Sequence, residues 1–522
     1  GGESMSDVFS LLHPQLQEFL AERDWKPTPV QEQAIPELID GNERLLIAPT
    51  GSGKTLAAVL PLLHRCKTED WKPLSILYIT PLRALNRDVD RRLAELSEAL
   101  DLRFALRHGD TPTSERSRQV RRPPHLLVTT PETFQLMFTG HRLRAMLSSV
   151  QAVIIDEVHD LAASERGWQL RLGLQRLEAL CGRTLQKVGL SATVGNPDHV
   201  ASWISNDSCQ PILAPAERTT VLTVETAPPL TEDEVGAMEM RLSPRAHATF
   251  RLLSEIVEKD PPCLVFVNSR NAAETVAQRL QTMAPQLTIG VHHGSLAAET
   301  RQEMEENIRN GTLHALICTS SLELGIDVGS IRKIVQLESP RSVDRMLQRV
   351  GRADHRIGGI GRGHLLAWET DGIAESAVVA HRSHLGAIED VEWRHRPYSI
   401  AANQIMLMAH SFKVVRIDDV HEIFSQTDQF ADWTRKDTEN VLAVLSDRWL
   451  LKYSLKPSET PWYRWPKQLY IAAKEALPNG ESWPDELPRY DVSDDEIPAE
   501  YKGMRMPVPK EFKDGWFASA GR

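Results

Sequence analysis

Two short motifs contain residue types at a spacing that could bind and cleave a nucleoside triphosphate. The first occupies residues 48–55 (APTGSGKT), between an apolar run and a helical pattern. Its glycines let the backbone curl so that successive N–H groups and the helix N-terminus face phosphate oxygens. In such a loop the lysine contacts the β and γ phosphates, and the next hydroxyl binds Mg²⁺. The residues predicted to line the phosphates are Thr50, Gly51, Ser52, Gly53, Lys54 and Thr55.

The second motif, residues 154–159 (IIDEVH), places two neighbouring carboxylates at the end of another apolar run. Asp156 is predicted to hold Mg²⁺ through water, and Glu157 to orient and deprotonate the attacking water. Paired acids at a strand end are also common as plain surface charge. Because they follow a phosphate-binding loop in the order that a nucleotide-binding sheet requires, hydrolysis of the nucleotide is the favoured interpretation.

Short apolar runs predict the strands that position these motifs. The runs are bounded by turn residues and alternate with helical patterns through two successive stretches of the chain. Near-continuous apolar runs fit strands buried on both faces of a parallel sheet, so the alternation predicts two doubly wound α/β lobes. The predicted strands are residues 45–48, 76–80, 126–129, 152–156 and 187–190 in the first lobe, and 263–267, 287–291, 315–319 and 333–337 in the second.

The pattern changes after residue 396. Three helical patterns precede one extended run, and this order resembles a winged-helix module. We expect this module to pack against the second lobe. The helical patterns are residues 400–412, 420–424 and 435–449, and the extended run is 450–455.

The formal net charge of −11 by itself argues against a nucleic-acid partner. However, residues 471–500 contain nine acids and two basic residues, so this Pro-containing stretch supplies −7 of the total. The average charge therefore does not decide what a local groove binds. Hydrophobic residues make up 41% and charged residues 25%, which are ordinary globular values that exclude a largely disordered or collagenous chain.

Cysteine spacing and hydropathy predict the compartment. The five cysteines include no CxxC pair, which argues against a zinc site or a disulfide framework and suits a reducing cytoplasm. No apolar run approaches the roughly 18 residues that cross a bilayer, so no membrane partner is expected.

Taken in order, the motifs resemble those of a superfamily 2 DExH helicase from about residue 8 to residue 360. Residues 25–31 (WKPTPVQ) are similar to the adenine-reading segment, in which Gln31 would hydrogen-bond the base. The resemblance implies that hydrolysis is coupled to strand movement through His159, Ser191, Thr193 and Gln348. It implies contacts with a nucleic-acid strand at Pro81, Arg83, Gly109, Thr130, Ser269, Arg270, His293 and Thr319.

The resemblance also implies where ATP sits, between two tandem RecA-like lobes. Gly325, Asp327, Arg349 and Arg352 would reach the nucleotide from the second lobe, the arginines as fingers. Such a finger contributes on the order of 10³ to 10⁵ in rate, so hydrolysis would require the lobes to close. The expected domains are 5–226 and 227–395 for the lobes, 396–456 for the winged helix, and 457–522 for an extended acidic segment containing proline and tryptophan. A Pro-rich and acid-rich stretch at 227–234 is the expected link between the lobes.

Within that superfamily the sequence is most similar to the large helicase-related (Lhr) family. The similarity lies in residues 156–167 (DEVHDLAASERG), 191–197 (SATVGNP) and 292–296 (HHGSL). It implies an ATP-dependent 3′ to 5′ motor, monomeric with an oligomer left open, that separates DNA duplexes or RNA:DNA hybrids. The chain departs from the family at Asp354, where most relatives have glycine, and in leaving few residues for the family's fourth domain.

Two other functions stay open at this point. One is a nucleic-acid-stimulated ATPase that remodels RNA or ribonucleoprotein locally without translocation. The other is a non-catalytic binding scaffold, although the intact Lys54, Asp156, Glu157, Arg349 and Arg352 argue against it. The choice between single-stranded or forked DNA, RNA and hybrid substrates also stays open.

Overall fold

Two parallel-sheet lobes are followed by a smaller C-terminal unit in a computed structural model of the chain. The structure describes residues 7–49, 51–81, 87–206, 208–214, 220–323, 331–352, 361–412, 414–448, 450–454 and 462–464. Within these ranges, no helix combines the length and the apolar character that crossing a membrane requires.

The first lobe is a sheet of seven parallel strands. They are β1 (Arg44–Ile47), β2 (Ile76–Ile79), β3 (Phe104–Arg107), β4 (Leu126–Thr129), β5 (Ala152–Ile155), β6 (Gln186–Ser191) and β7 (Gln210–Leu213). The order across the sheet is β3-β4-β2-β5-β6-β1-β7, so the carboxyl ends of β5, β6 and β1 lie side by side. Ligands of open α/β sheets bind at this edge, which is where both predicted nucleotide motifs begin.

Strands of this sheet bury both faces. Leu45 and Ile47 belong to one hydrophobic cluster, whereas Leu46 between them belongs to another on the opposite face. This double burial explains why β1, β2, β4, β5 and β6 read as apolar runs in the sequence. The helices of the lobe are α1 (Pro14–Glu22), α2 (Pro29–Ile39), α3 (Lys54–Thr68), α4 (Arg87–Ala99), α5 (Thr113–Arg121), α6 (Pro131–Met137), α7 (His141–Leu147), α8 (Val158–Ala162), α9 (Glu165–Cys181) and α10 (Pro197–Ile204).

The second lobe repeats the design with six parallel strands. They are β8 (Thr220–Glu225), β9 (Cys263–Phe266), β10 (Ile289–His292), β11 (Ala315–Cys318), β12 (Lys333–Leu337) and β13 (Gly361–Leu366), in the order β10-β11-β9-β12-β13-β8. Its helices are α11 (Thr231–Met240), α12 (Pro244–Lys259), α13 (Arg270–Met283), α14 (Ala298–Arg309), α15 (Val343–Val350) and α16 (Thr370–His384). The prediction of two doubly wound lobes is confirmed.

The predicted boundary at residue 226 is wrong. Strand β8 pairs in parallel with β13 and therefore belongs to the second sheet. The first lobe's last described residue before that strand is Ala214, and residues 215–219 lie outside the described ranges. The expected link at 227–234 is also corrected, because α11 begins at Thr231. Sequence alone could not assign β8, since an amphipathic edge strand fits either sheet.

The C-terminal unit contains three helices and a three-stranded antiparallel sheet. In chain order they are α17 (Tyr398–Phe412), β14 (Val414–Arg416), α18 (Ile417–Ser425), α19 (Arg435–Asp447), β15 (Lys452–Ser454) and β16 (Trp462–Arg464). Because β16 lies between the other two strands, the unit extends past the predicted end at residue 456. The predicted order of three helices before one extended run differs from this one, because β14 lies between α17 and α18, and the winged-helix assignment stays a prediction. Residues 465–522 of the acidic segment lie outside the described ranges.

The C-terminal unit packs against the first lobe, which corrects the expectation that it packs against the second. Helices α17 and α18 both contact α9. Arg176 on α9 is buried and donates hydrogen bonds to Gln404 Oε1 at 3.3 Å and Ser411 Oγ at 3.4 Å on α17. Burial lowers the pKa of Arg176 to about 9. Because α9 is buried along most of its length, it needs a second layer of helices to cover it.

Candidate active site

The predicted phosphate-binding loop connects β1 to α3 and ends at a glycine with a left-handed backbone conformation. Gly51 and Gly53 have φ values of +80° and +84°, in the left-handed region that glycine adopts at little cost. Lys54 begins α3, and its ammonium donates to the carbonyl oxygens of Ala48 at 2.6 Å and Ser191 at 2.9 Å. The lysine therefore lies across the carboxyl ends of β1 and β6, where the sequence predicts phosphates.

Asp156 directly follows β5, and its carboxylate is hydrogen-bonded by the hydroxyl group of Tyr78. The Tyr78 hydroxyl donates to Asp156 Oδ2 at 2.8 Å, and Asp156 Oδ1 accepts from the Glu157 backbone N–H at 2.9 Å. Burial and the charge of Glu157 raise the pKa of Asp156 to about 7, although the Tyr78 hydrogen bond and the charge of Lys54 oppose the rise. Glu157 itself has φ +53°, a left-handed conformation that costs a non-glycine residue roughly 1–2 kcal/mol. Strain of this kind is concentrated at functional sites.

The oxygen atoms at this edge suit a triphosphate with Mg²⁺. Tyr78 also hydrogen-bonds Thr55, so one phenol joins the two residues predicted to bind the metal. Hydroxyl and carboxylate oxygens are the ligands that Mg²⁺ prefers. Ser52 Oγ in the loop is buried without a hydrogen-bond partner among the described residues, which leaves a donor for a phosphate oxygen. Sequence reasoning missed Tyr78, whose hydroxyl is the one polar group in the apolar strand β2.

Gln31 fastens the first turn of α2 to the phosphate-binding loop. Its Oε1 accepts from the Thr28 backbone N–H at 3.0 Å, and its Nε2 donates to the Gly53 carbonyl at 3.2 Å. The first of these bonds belongs to a capping box, with glutamine at the third helical position. A Cβ on Gly53 would lie 2.6 Å from Gln31 Nε2, so the adenine-reading segment and the loop fit together only with glycine there.

His159 on α8 connects the carboxylates to the second lobe and to residues 191–196, which we call the coupling segment because two predicted coupling residues lie in it. Its Nδ1 accepts from the Ala192 backbone N–H at 3.1 Å and lies 3.3 Å from Ser191 Oγ. Because Ala192 N–H can only donate, the proton of the neutral imidazole must be on Nε2. That Nε2 lies 3.3 Å from Glu157 Oε2 and 2.9 Å from the side-chain amide of Gln348 on α15. This tautomer requires Gln348 to turn its amide oxygen towards the imidazole.

Arg349 points into the second lobe. Its Nε donates to Glu323 Oε1 at 2.7 Å, and its Nη1 donates to Gln336 Oε1. The guanidinium also lies over the Phe266 ring, 5.1 Å from the centroid, and the residue as a whole is 1% exposed. The expectation that Arg349 reaches the nucleotide as a finger does not match these contacts, which fix it inside its own lobe.

Arg352 lies at the other end of the same motif and is held by a backbone carbonyl of its own lobe. Its Nε and Nη2 donate to the Glu323 carbonyl at 3.0 and 2.6 Å. Burial lowers the pKa of Arg352, and the negative charge of Glu157 from the first lobe opposes that effect. The two predicted fingers therefore differ in their surroundings: Arg352 bonds to a backbone carbonyl and interacts electrostatically with Glu157, whereas Arg349 bonds to buried side chains of its own lobe.

An arginine without a predicted role connects two elements of the first lobe that are predicted to contact a nucleic-acid strand. Arg166 at the start of α9 donates from Nη2 to the Pro81 carbonyl at 3.0 Å and to Glu132 Oε2 at 2.8 Å. Thr130 Oγ1 is engaged as the cap of α6, accepting from the Thr133 backbone N–H at 3.3 Å. The SERG motif at 164–167 was the available signal for Arg166, but only the folded chain shows its partners.

Three of the residues predicted to contact a nucleic-acid strand from the second lobe lie at or just after the carboxyl ends of β9, β10 and β11. Ser269 caps α13 by accepting from the Ala272 backbone N–H at 3.1 Å. His293 is buried and its Nε2 lies 2.7 Å from Glu274 Oε1, and Thr319 is 9% exposed at the end of β11. These carboxyl ends of parallel strands lie at one edge of the sheet, so the structure brings the three residues to a common edge.

The remaining predicted residues are exposed or lie outside the described ranges. Gly109 is exposed, and its carbonyl accepts from Arg116 Nη2 at 2.8 Å. Thr193 and Arg270 are also exposed, as a contact with a ligand requires. The predicted site residues outside the described ranges are Thr50, Arg83, Gly325 and Asp327.

Known families and proteins match this chain over most of its length. Residues 28–200 match the DEAD/DEAH box helicase family, and 248–358 match the helicase conserved C-terminal domain. ATP-dependent helicase Lhr-Core of Methanocaldococcus jannaschii is 31% identical over 85% of this chain and 54% of its own length. Lhr helicase/uracil glycosylase of Escherichia coli is 32% identical over 82% of this chain and 32% of its own length. The chain thus spans about half the length of the archaeal relative.

Solved structures match as well. The structure of Mycobacterium smegmatis helicase Lhr bound to ssDNA and AMP-PNP has a TM-score of 0.78 and 33% identity, covering 90% of this chain and 63% of that one. The DUF1998 helicase MrfA bound to DNA has a TM-score of 0.68 at 20% identity, covering 89% of this chain and 63% of that one, and so supports the fold alone.

Replacing Gly53 with alanine tests whether this loop binds nucleotide. The new Cβ would clash with Gln31 and would hold alanine at a left-handed φ. We expect the affinity for a non-hydrolysable ATP analogue, measured by calorimetric titration, to fall by roughly tenfold or more, at about 1.4 kcal/mol per factor of ten. Gly182→Ala is the matched control, because Gly182 also has a left-handed φ of +66° but has open space around it at the end of α9. Equal affinities in the two variants would contradict this assignment.

Proposed function

Because the chain belongs to the Lhr family of superfamily 2 helicases, we propose that it is a motor that uses ATP hydrolysis to move along a nucleic-acid strand and separate duplexes. The observation that carries this proposal is the contact between His159 and Gln348. It joins the two lobes directly beside Glu157, so the hydrolytic carboxylate and the relative position of the lobes depend on the same imidazole.

In this proposal, ATP binds at the carboxyl edge of the first sheet. Lys54 exchanges its two carbonyl acceptors for phosphate oxygens, which are stronger partners because they are charged. Mg²⁺, when bound, would neutralise charge on the β and γ phosphates, and Thr55 and Asp156 are the residues that would hold it. The Tyr78 hydroxyl hydrogen-bonds both Thr55 and Asp156 and so holds their oxygen atoms in a fixed arrangement.

Glu157 is the proposed general base. Its carboxylate lies 3.3 Å from His159 Nε2, which carries a proton in the tautomer that Ala192 imposes. The imidazole N–H therefore stabilises the ionised carboxylate and holds it in orientation while it accepts the proton of the attacking water. Rotation of Gln348 on closure or opening of the lobes changes the partners available to that N–H, which connects lobe position to the base.

Arg352 is the proposed finger. It is the predicted finger whose charge interacts with Glu157 across the lobes, and lobe closure would bring it towards a transferring phosphoryl group. Arg349 supports it indirectly. Arg349 bonds to the Glu323 side chain, and Arg352 bonds to the Glu323 carbonyl. The buried Arg349–Glu323 pair therefore helps to hold Arg352 in position.

The proposed track is the phosphate backbone of a single strand. Both lobes present predicted strand contacts at exposed or edge positions, among them Gly109 in the first and Ser269 in the second. Backbone contacts carry no sequence information, so movement without sequence preference is expected. The M. smegmatis relative is bound to ssDNA and AMP-PNP, which supports DNA as a substrate, and RNA or hybrid strands are proposed beside it. We propose 3′ to 5′ polarity for this movement.

The proposed setting is a reducing cytoplasm. Four of the five free cysteines are buried and the fifth is half-buried, which suits a compartment without disulfide formation. We propose that the motor acts as a monomer. The proposed division of the chain is a first lobe ending near residue 214, a second lobe from residue 220, and a C-terminal unit that includes β16.

Replacing Glu157 with glutamine tests the hydrolytic mechanism. The amide keeps the size of the side chain but does not accept a proton, so strand-stimulated ATP hydrolysis should fall by roughly 10² to 10⁴. Binding of a fluorescent ATP analogue should stay within about twofold of the unmodified chain, because Lys54 and the loop are untouched. Undiminished turnover in Glu157→Gln would remove this carboxylate from the mechanism.

Duplexes with a single-stranded tail test translocation against local opening. We expect unwinding of a DNA duplex with a 3′ tail, measured by strand separation under ATP, and little or no unwinding of the same duplex with a 5′ tail. Equal unwinding of both would contradict directional movement and favour local opening. The same pair of tails on RNA and on RNA:DNA hybrids would identify the preferred strand.

A further inference from the structure

The segment between α16 and α17 touches both lobes. We call residues 387–396 (AIEDVEWRHR) the strap. It leaves the second lobe after α16, crosses the first lobe beside α10, and enters the C-terminal unit. A connection that only spanned this distance would need few specific contacts, whereas the strap makes directed hydrogen bonds to both motor lobes.

Glu389 in the strap bonds to the first lobe with its backbone and to the second with its side chain. Its carbonyl accepts from the Gly195 backbone N–H at 3.1 Å. Its carboxylate accepts from the backbone N–H groups of Val343 at 2.8 Å and Asp344 at 3.1 Å, the first two residues of α15. Ser342, the residue at the cap position of that helix, makes no side-chain capping bond. The strap therefore supplies the cap, and its negative charge lies at the positive end of the helix.

Further contacts hold the strap on the first lobe. The Asn196 amide donates to the Val391 carbonyl at 2.8 Å, and its Oδ1 accepts from the Val391 backbone N–H, also at 2.8 Å. Trp393 stacks on His199 with ring centroids 3.9 Å apart and planes inclined by 8°. These contacts fix the position from which Glu389 reaches α15.

Gly195 leaves no room between the strap and the first lobe. A Cβ built on it would lie 2.4 Å from Asp390 Oδ1 and 2.5 Å from the Ile388 carbonyl. Only glycine lets the two backbones approach this closely. The SATVGN sequence that ends at Asn196 thus carries the predicted coupling residues at its start and the strap's docking site at its end.

Helix α15 is consequently connected to the first lobe at both of its ends, directly near its C-terminus and through the strap at its N-terminus. Near its C-terminus Gln348 meets His159, which also accepts from Ala192 N–H. At its N-terminus Glu389 connects it to Gly195. Residues 191–196 and α15 are therefore connected twice, once through His159 and once through Glu389. A shift of α15 on lobe closure would move the coupling segment through both connections.

We propose that Glu389 is a positioning residue that sets α15 against the coupling segment and thereby makes ATP hydrolysis productive for strand movement. Glu389 acts through the helix that carries Gln348 and through the Arg352 finger that follows it. This inference rests on the proposed motor function. Removing the cap frees the N-terminus of α15 from the strap while leaving the lysine, carboxylates and finger of the hydrolytic site in the chain.

The test measures ATP hydrolysed per base pair unwound on a duplex with a 3′ tail. In Glu389→Ala this ratio should rise by about threefold or more, because hydrolysis continues while fewer cycles move the strand. Glu389→Gln keeps one acceptor and should give an intermediate ratio. Glu392→Ala is the matched control, since Glu392 is an exposed acid in the same strap, and its ratio should equal that of the unmodified chain.

A merely structural role predicts a different result. Loss of folded protein would lower hydrolysis and unwinding by the same factor and leave the ratio unchanged, and an unchanged ratio in Glu389→Ala overturns the proposal. If that variant does not fold, Gly195→Ala should raise the ratio with Glu389 intact, because the new Cβ displaces the strap. An unmodified chain without strand-stimulated hydrolysis would overturn the motor function and this inference together, whereas an active chain with unaltered variants would remove the inference alone.

Discussion

The neutral imidazole of His159 is the constraint on which the hydrolytic arrangement depends. Its Nδ1 must accept from the Ala192 backbone N–H, so its Nε2 must donate, and the groups within reach are Glu157 and Gln348. A protonated imidazole would turn an N–H towards the Ala192 N–H and lose that bond, and a buried donor left without an acceptor costs about 1–3 kcal/mol. One ring thus contacts the proposed base, the coupling segment and the second lobe.

The strands that are buried at every position could be predicted from the sequence, and several partly exposed strands could not. Strands such as β2 and β5, buried at every position, read as apolar runs and were placed within a residue of their observed ends. The edge strands β3 and β7 are partly exposed and gave no such signal, and β8 could not be assigned to a sheet. The C-terminal unit packs on the first lobe because it covers a face of α9. The sequence periodicity of α9 does not show whether that face is covered by its own lobe or by another unit.

The candidate site also contains residues that the sequence could locate and residues whose roles only the fold reveals. Motif order located Lys54, Asp156 and Glu157, because chemistry requires those residue types at the ends of neighbouring strands. Roles that arise from tertiary contacts were not visible. Tyr78 reads as one more strand residue, and the finger motif does not say which arginine turns inward. The same holds for the strap, where an acid among other charged residues reads as a solvated side chain until the fold places it at the first turn of α15.

A double-mutant cycle on His159 and Gln348 tests the central claim most directly, because both residues contribute to the cross-lobe contact beside the base. The quantity measured is the kcat of strand-stimulated ATP hydrolysis in His159→Ala, Gln348→Ala and the double variant. If the contact couples the lobes to Glu157, each single change should lower kcat by about tenfold and the double change by little more than either, since residues acting as a unit are non-additive. A loss in the double variant equal to the product of the two single losses would contradict the account.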